Sequence, residues 1–224
     1  MPMAPRGTYN AERAAALSGV PKSTVHHWHR ENIIVPSVSA ARIKLWSFGD
    51  LLALRTIYWL RHPKDEPGGQ AVPVTPMPKI RQALAHVREA AEQFSADDGQ
   101  GIAVDRAGRL VVLKHGQVVE VPDGQGVLGA ELLDLTGPFA AGENIVGPDL
   151  KRPRPHLRIV PGKLGGSPHV EDTRLETEAL GALERRGFDS ARIYRLYPAV
   201  DRGYVDEALD LERQLAGNLE ATAA

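Results

Sequence analysis

"NAERAAALSGVPKSTVHHWHREN", residues 10–32, holds two helical patterns separated by Gly-Val-Pro. Residues 10–18 are rich in alanine, the best helix former, and Gly19 supplies a stop. A second helix is expected from Pro21 or Lys22 to Glu31. On it Lys22, Ser23, His26, His27 and Arg30 fall at i, i+1, i+4, i+5 and i+8, so they share one face. Val25 and Trp28 lie opposite, turned toward Ala14, Ala15 and Leu17 of the first helix. Helix, glycine turn, helix is the arrangement whose second helix enters a DNA major groove. All five facing residues carry groups that bond phosphate oxygens or base edges.

Three histidines around one tryptophan also raise metal binding and catalysis. His26 and His29 are three apart, with Glu31 the one acid close by in sequence. The two-histidine zinc helix spaces its ligands i, i+4 with a glutamate beside the first, and that pattern is absent. A catalytic histidine would need a nucleophile or a paired carboxylate in the vicinity, and none is present. The histidines therefore read as part of a polar, DNA-facing surface, with Trp28 as a core anchor. No metal and no cofactor is expected.

Outward from this stretch, "IIVPSVSAARIKLW" (33–46) reads as short strands around a loop, from its β-branched residues. "SFGDLLALRTIYWLRH" (47–62) opens with Ser47 as N-cap and Asp50 three residues on, a variant capping box. Leu51, Leu54, Ile57, Tyr58 and Leu60 follow a helical period. Residues 65–78 form a linker dense in Pro and Gly. The helix at 79–94 has Ile80, Leu84, Val87, Ala91 and Phe94 on one stripe. "GIAVDRAGRLVVLKHGQVVEVP" (101–122) alternates β-rich runs with turns, giving a hairpin or a three-stranded meander. From about residue 151 a further unit carries an extended part and helices near 174–186, 189–195 and 201–216, with a frayed "ATAA" end. The expected fold is α+β and mainly helical. Its divisions are 1–64, 65–78, 79–150 and 151–224.

The chain has 224 residues, no cysteine and a net charge of −1. Without cysteine there are no disulfides, thiolate catalysis or cysteine-ligated zinc. No apolar run reaches the length of a membrane span, and "MPMAPRGTYN" lacks the apolar core of a signal peptide, so a cytoplasmic protein is expected. The charge is uneven. Through Asp65 there are nine Lys and Arg against four acids, a balance of +5, and the remainder holds 18 against 24, a balance of −6. A basic head on an acidic body points to a polyanion at one end and another partner elsewhere.

Residues 8–62 resemble the N-terminal winged helix-turn-helix of the MerR family. The shared features are the alanine-rich first helix, the Gly-Val turn, a second helix with Thr24 and an aromatic, a basic wing, and the Trp46-Ser47 step into the next helix. The resemblance implies that Lys22, Ser23, Thr24, His26 and His27 lie on the recognition helix and Arg42 and Lys44 in the wing; Arg30 joins them from the helical face. Pro21-Lys22 replaces the family's Ser-Pro start, so the polar N-cap is lost. His26 and His27 stand where two arginines are common. Such histidines imply operator affinity that rises as pH falls from about 7.5 to about 6, given an ordinary pKa near 6.5.

"LRIVPGKLGGSPHVEDTRLETEALGALERRGFDSARIYRLYPAVDRGYVDEALDLERQL" (157–215) resembles a small helical family of bacterial antitoxins. Gly165, Gly166, Pro168, Thr173, Arg174, Gly187, Phe188, Asp189, Tyr197 and Pro198 match its pattern in order, and Asp172 replaces its usual glycine. Gly165, Gly166 and Pro168 read as turn formers, whereas Thr173 and Arg174 are candidates for either a turn or a partner contact. The two resemblances together imply a VapB-type antitoxin. It would bind a PIN-type ribonuclease toxin and repress its own operon as a homodimer on operator DNA, with no membrane partner and no enzymatic activity. Two alternatives stay open. One is a regulator with a small-molecule effector domain within 79–150. The other is a hydrolase or transferase, for which no nucleophile elbow or phosphate loop is present and Gly124-Gln125-Gly126 is too short a signal.

Overall fold

A computed structural model describes residues 6–62, 75–94, 100–105, 108–114, 117–120, 132–141 and 144–221. The Pro/Gly-rich stretch up to position 74, the centres of the two meander turns, Gly124-Gln125-Gly126 and the last three residues lie outside these. The fold is α+β, with seven α-helices and small antiparallel sheets among the described residues.

Helices α1 (Ala11–Ser18) and α2 (Lys22–Arg30) form where the helical patterns place them. Asn10 caps α1 by accepting from the Arg13 amide at 2.8 Å, and Gly19 ends it at φ 72°. α2 begins after Pro21 with no side-chain cap and ends at Arg30 with Glu31 as C-cap, after which Asn32 takes a left-handed φ of 53°. Val25 and Trp28 are buried, as the helical wheel requires.

The strands expected within 33–46 reduce to single bridges, Ser39 with Leu45 and Trp46 with Tyr9. Pro36 has no N–H to give, and Ser37 donates both its amide and its hydroxyl to the Asp50 carboxylate, at 2.8 and 2.7 Å. What remains is a tight loop, 39–45, closed by Leu45 N–H to Ser39 O at 2.9 Å. Asp50 also completes the Ser47 capping box of α3 (Phe48–Arg61) and receives Arg88 from α4 (Met77–Gln93) at 2.9 Å.

The α3 stripe read from the sequence is too narrow. Leu52, Ala53, Arg55 and Thr56 are as buried as Leu51, Leu54 and Ile57, so α3 is a core helix walled in on all sides. α4 lies along it, burying Ala91 with Ile80, Leu84 and Val87, the last three each contributing about 1.5–3 kcal/mol when fully buried. Phe94 stacks on Phe48 at 5.4 Å.

The meander forms as β1 (Gln100–Asp105), β2 (Leu110–Lys114) and β3 (Gln117–Glu120). A fourth strand, β4 (Leu132–Asp134), adds to the free edge of β1, giving the antiparallel order β3-β2-β1-β4. Three residues are too few to show a period of two, so the sequence carries no signal for it. Next, β5 (Phe139–Ala140) pairs with β6 (Val146–Gly147), and β7 (Leu157–Arg158) pairs with β8 (His169–Val170). The last helices are α5 (Thr177–Arg185), α6 (Ser190–Leu196) and α7 (Arg202–Glu220).

Arg55 binds the 135–148 segment to the first helices. Its side chain is fully buried and each of its five N–H groups meets a carbonyl oxygen: Leu17 and Ser18 at the end of α1, then Leu135, Gly137 and Pro148, at 2.6–3.0 Å. Burial pushes the guanidinium down to about 9, so it stays charged at neutral pH. Backbone meets backbone beside it, because a Cβ on Gly147 would lie 2.8 Å from the Ser18 carbonyl. α7 packs across both α1 and α5. No described helix is long and apolar enough to cross a membrane.

Candidate functional site

The exposed side of α2 faces the loop that carries Arg42 and Lys44. Ser23, His26, His27 and Arg30 are exposed, and Lys22 and Thr24 are half-buried; Arg42 is exposed and Lys44 half-buried. Between helix and loop lies an open depression of about 680 Å³ lined by Ser23, His26, His29, Arg30, Asn32 and Lys44. Four of the eight residues expected to face DNA therefore converge on one hollow. Lys22, Thr24, His27 and Arg42 lie outside its lining. Ile43, between Arg42 and Lys44, is 65 % exposed at the loop tip.

Two residues of the hollow lie outside the face drawn from the helical wheel. His29 stands edge-on to Trp46, with centroids 6.4 Å apart, and its Nδ1 is buried without a hydrogen-bond partner among the described residues. Asn32 enters because the chain leaves α2 just after its Glu31 cap by turning left-handed there, a role asparagine takes readily. The Asn after a His/Arg-rich last turn was the available signal. Among the described residues no three His, Asp or Glu side chains gather as a metal set.

The electrostatics of this face are weaker than the charge count of the N-terminal third implies. Arg55 is interior, Arg13 is paired with Glu212, and Lys22 Nζ meets Glu12 at 2.6 Å. That contact holds the Glu12 carboxyl below its ordinary range. His26 titrates below its usual value, first because of partial burial and then because Lys22, Lys44, Arg30 and His29 crowd it with positive charge. A phosphate placed in the hollow would reverse that second effect.

Of the C-terminal motif residues, Gly166 and Pro168 are buried, and several others bond within the chain. Thr8 N–H donates to Gly165 O at 2.8 Å, and the Tyr9 hydroxyl donates to Gly166 O at 2.9 Å. A Cβ on Gly166 would lie 2.2 Å from that hydroxyl, so the glycine is required by close approach. Burial pushes the Tyr9 hydroxyl far above its ordinary value. Pro168 is buried and its carbonyl accepts from Thr177 N–H at 2.9 Å. Asp172, where the resemblance expects glycine, takes φ 56°, so the turn keeps the left-handed residue. The Thr173 hydroxyl donates to Val170 O at 2.8 Å and accepts from Leu175 N–H at 3.0 Å, closing that turn. Arg174 is exposed and joins no ion pair among the described residues.

A family model described as a protein of unknown function (DUF433) matches residues 158–210, from β7 into α7. No curated protein and no solved structure matches the chain.

Proposed function

We propose that the protein is an antitoxin that represses its own operon, reading operator DNA with α2 and the 39–45 loop and binding a PIN-type ribonuclease toxin through its remaining surface. The observation that carries the DNA-binding half is the hollow between α2 and the loop, whose Ser23, His26, Arg30 and Lys44 offer hydrogen bonds and positive charge to one polyanion. Asn32 and His29 extend the same polar lining. The toxin-binding half rests on the resemblance of residues 157–215 to antitoxins. Occlusion of the toxin requires no catalytic residue, and two copies reading two half-sites would give operator symmetry.

The test has two arms. Duplex DNA from upstream of the gene should bind with strong salt dependence, and Arg30→Ala with Lys44→Ala should lower both the affinity and the salt slope. Co-expression with the product of the adjacent gene should give a co-purifying complex that those substitutions leave intact. Absence of upstream DNA binding overturns the first half, and a neighbour with no nuclease activity overturns the second.

A second reading is a regulator with a small-molecule effector. It is favoured by a cleft of about 300 Å³ between α4 and the sheet, where His86 and Gln100 stand beside Phe94, Ile102 and Leu110. A metabolite that shifts both thermal stability and DNA affinity would select this reading over the first.

A further inference from the structure

The α5–α6 connection repeats the α1–α2 connection in its turn and its burial. Gly19 takes φ 72° after α1 and Gly187 takes φ 85° after α5, and in each case a new helix begins three residues later, at Lys22 and Ser190. A left-handed residue reverses the chain there, and glycine adopts it without a Cβ clash. The residue after each glycine, Val20 or Phe188, packs against the core. The sixth residue after it, Val25 or Ile193, is fully buried. Exposed polar side chains then point away: His26 and His27 on α2, Arg192 and Arg195 on α6. The largest departure is Trp28, buried where its counterpart Leu196 is 53 % exposed; His26 is exposed where Tyr194 is half-buried, and Thr24 half-buried where Arg192 is exposed. The first helices of both units rest on α7, where Arg13 of α1 bonds Glu212 and reaches the hydroxyl of Thr177, the first residue of α5, at 3.5 Å.

The α6 unit carries unspent positive charge. Arg186, Arg192 and Arg195 are exposed, and none joins an ion pair among the described residues. By contrast Arg154, Arg158 and Arg213 of the same region are engaged by Asp210, Glu171 and Glu184. The acids beside α6 are occupied: Asp189 caps it through the Arg192 amide at 2.7 Å, and Asp201 caps α7 through the Gly203 amide at 2.7 Å. Arg192 and Arg195 are three apart on one helix and so lie on the same side. The Arg192 guanidinium stands 4.0 Å over the Phe188 ring, which orders it before any partner arrives.

We propose that the α6 face, Arg192 and Arg195 with Arg186 in the turn leading into it, is a second nucleic-acid contact that grips the phosphate backbone of duplex DNA. The proposal rests on the DNA-binding reading of α2, whose turn and burial pattern it shares. Guanidinium groups suit the task because their fixed N–H fork meets phosphate oxygens in pairs. Leu196 beside them is placed to pack on sugar rather than on protein. The chain then holds DNA at two points mounted on one backing helix, α7.

The experiment measures binding of the full chain to a fluorescent 24-base-pair duplex of random sequence across a salt series. Arg192→Ala/Arg195→Ala should flatten the slope of log affinity against log salt by about 1.8, two released counterions at about 0.9 each. Arg192→Lys/Arg195→Lys should restore most of it. Both variants alter exposed side chains, and an unchanged melting temperature confirms the fold. An unchanged slope in the alanine variant, with a loss in Lys22→Ala/Arg30→Ala, overturns the α6 contact and leaves the α2 reading standing. Loss in the α6 variant alone supports the contact and overturns α2. No binding by the parent chain overturns both, and arginine-dependent capture of the toxin without any effect on DNA assigns the face to protein instead.

Discussion

Arg13 on α1 and Glu212 on α7 face each other across 199 positions of sequence, joined by two hydrogen bonds at 2.8 and 2.7 Å. Their side chains are 14 % and 6 % exposed, and Glu212 also accepts from the Thr177 hydroxyl. The pair locks the helix preceding the proposed DNA-reading helix to the segment matched by the family of unknown function. Glu212→Ala should cost about 3 kcal/mol in urea denaturation, because the largely desolvated Arg13 loses its carboxylate partner. Removing both residues should cost clearly less than the sum of the single losses. Additive losses would show that the pair is not coupled.

Arg55 should tolerate no replacement. Lysine offers three donors to five carbonyls, and methionine leaves all five facing apolar atoms. Arg55→Lys and Arg55→Met should each lose about 3–5 kcal/mol, measured by the shift of the denaturation midpoint. A loss below about 1 kcal/mol would mean that the cradle adds little beyond packing.

DNA affinity should rise on acidification, and should go on rising below the range an ordinary histidine predicts. His26 titrates below its usual value in the free protein, and a bound phosphate favours its protonated form. Protons are therefore taken up on binding, so affinity climbs as pH falls. The climb begins at the value raised by bound phosphate and continues down to the depressed value of the free protein, so it should extend below about pH 6.5. Dissociation constants from pH 8 to 5.5 at fixed salt would show it, and His26→Gln should flatten the curve.

On the proposed DNA-binding reading, Glu12 competes with DNA for Lys22. An exposed ion pair is worth about 0–1 kcal/mol, so the lysine is released easily and the carboxylate mainly repels phosphate. Glu12→Gln should tighten duplex binding about two- to fivefold at low salt, with the gain vanishing as salt is raised. An unchanged affinity would place Lys22 outside the interface.

His169 should make the fold acid-sensitive. It is buried, its Nδ1 lies 3.0 Å from Ser167 O, and burial lowers its pKa against the opposing pull of that carbonyl. With the folded value below the unfolded one, the unfolded chain binds more protons in between. Stability is thus held above about pH 6.5 and lost as pH falls below it. His169→Asn, which keeps a donor near the Nδ1 position, should flatten the decline in melting temperature between pH 7 and 5.

Much of the helical content was legible because its signals are local. Asn10, Gly19, Ser47 with Asp50, Gly187 and Asp189 mark helix ends within a few residues, and a stripe such as Ile80, Leu84, Val87, Ala91 declares its buried side without outside help. The α2 face followed from the same rule, since which residues share a side depends only on the helical period. The hollow was only half legible. Ser23, His26, Arg30 and Lys44 come from residue type and spacing, whereas His29 and Asn32 enter through the angle at which α2 ends against Trp46.

The amino-acid sequence by itself determined the helices, their caps, the polar side of α2 and the left-handed turns, because each depends on neighbours within about one helical turn. Only the tertiary structure decided that Arg55 is an interior clamp and not surface charge, that Gly166 exists to admit Tyr9, and that α1 and α5 share α7 as a backing. Those roles rest on carbonyls, rings and carboxylates far away in the chain. A guanidinium in an α-helix reads the same in sequence whether water or five carbonyl oxygens await it.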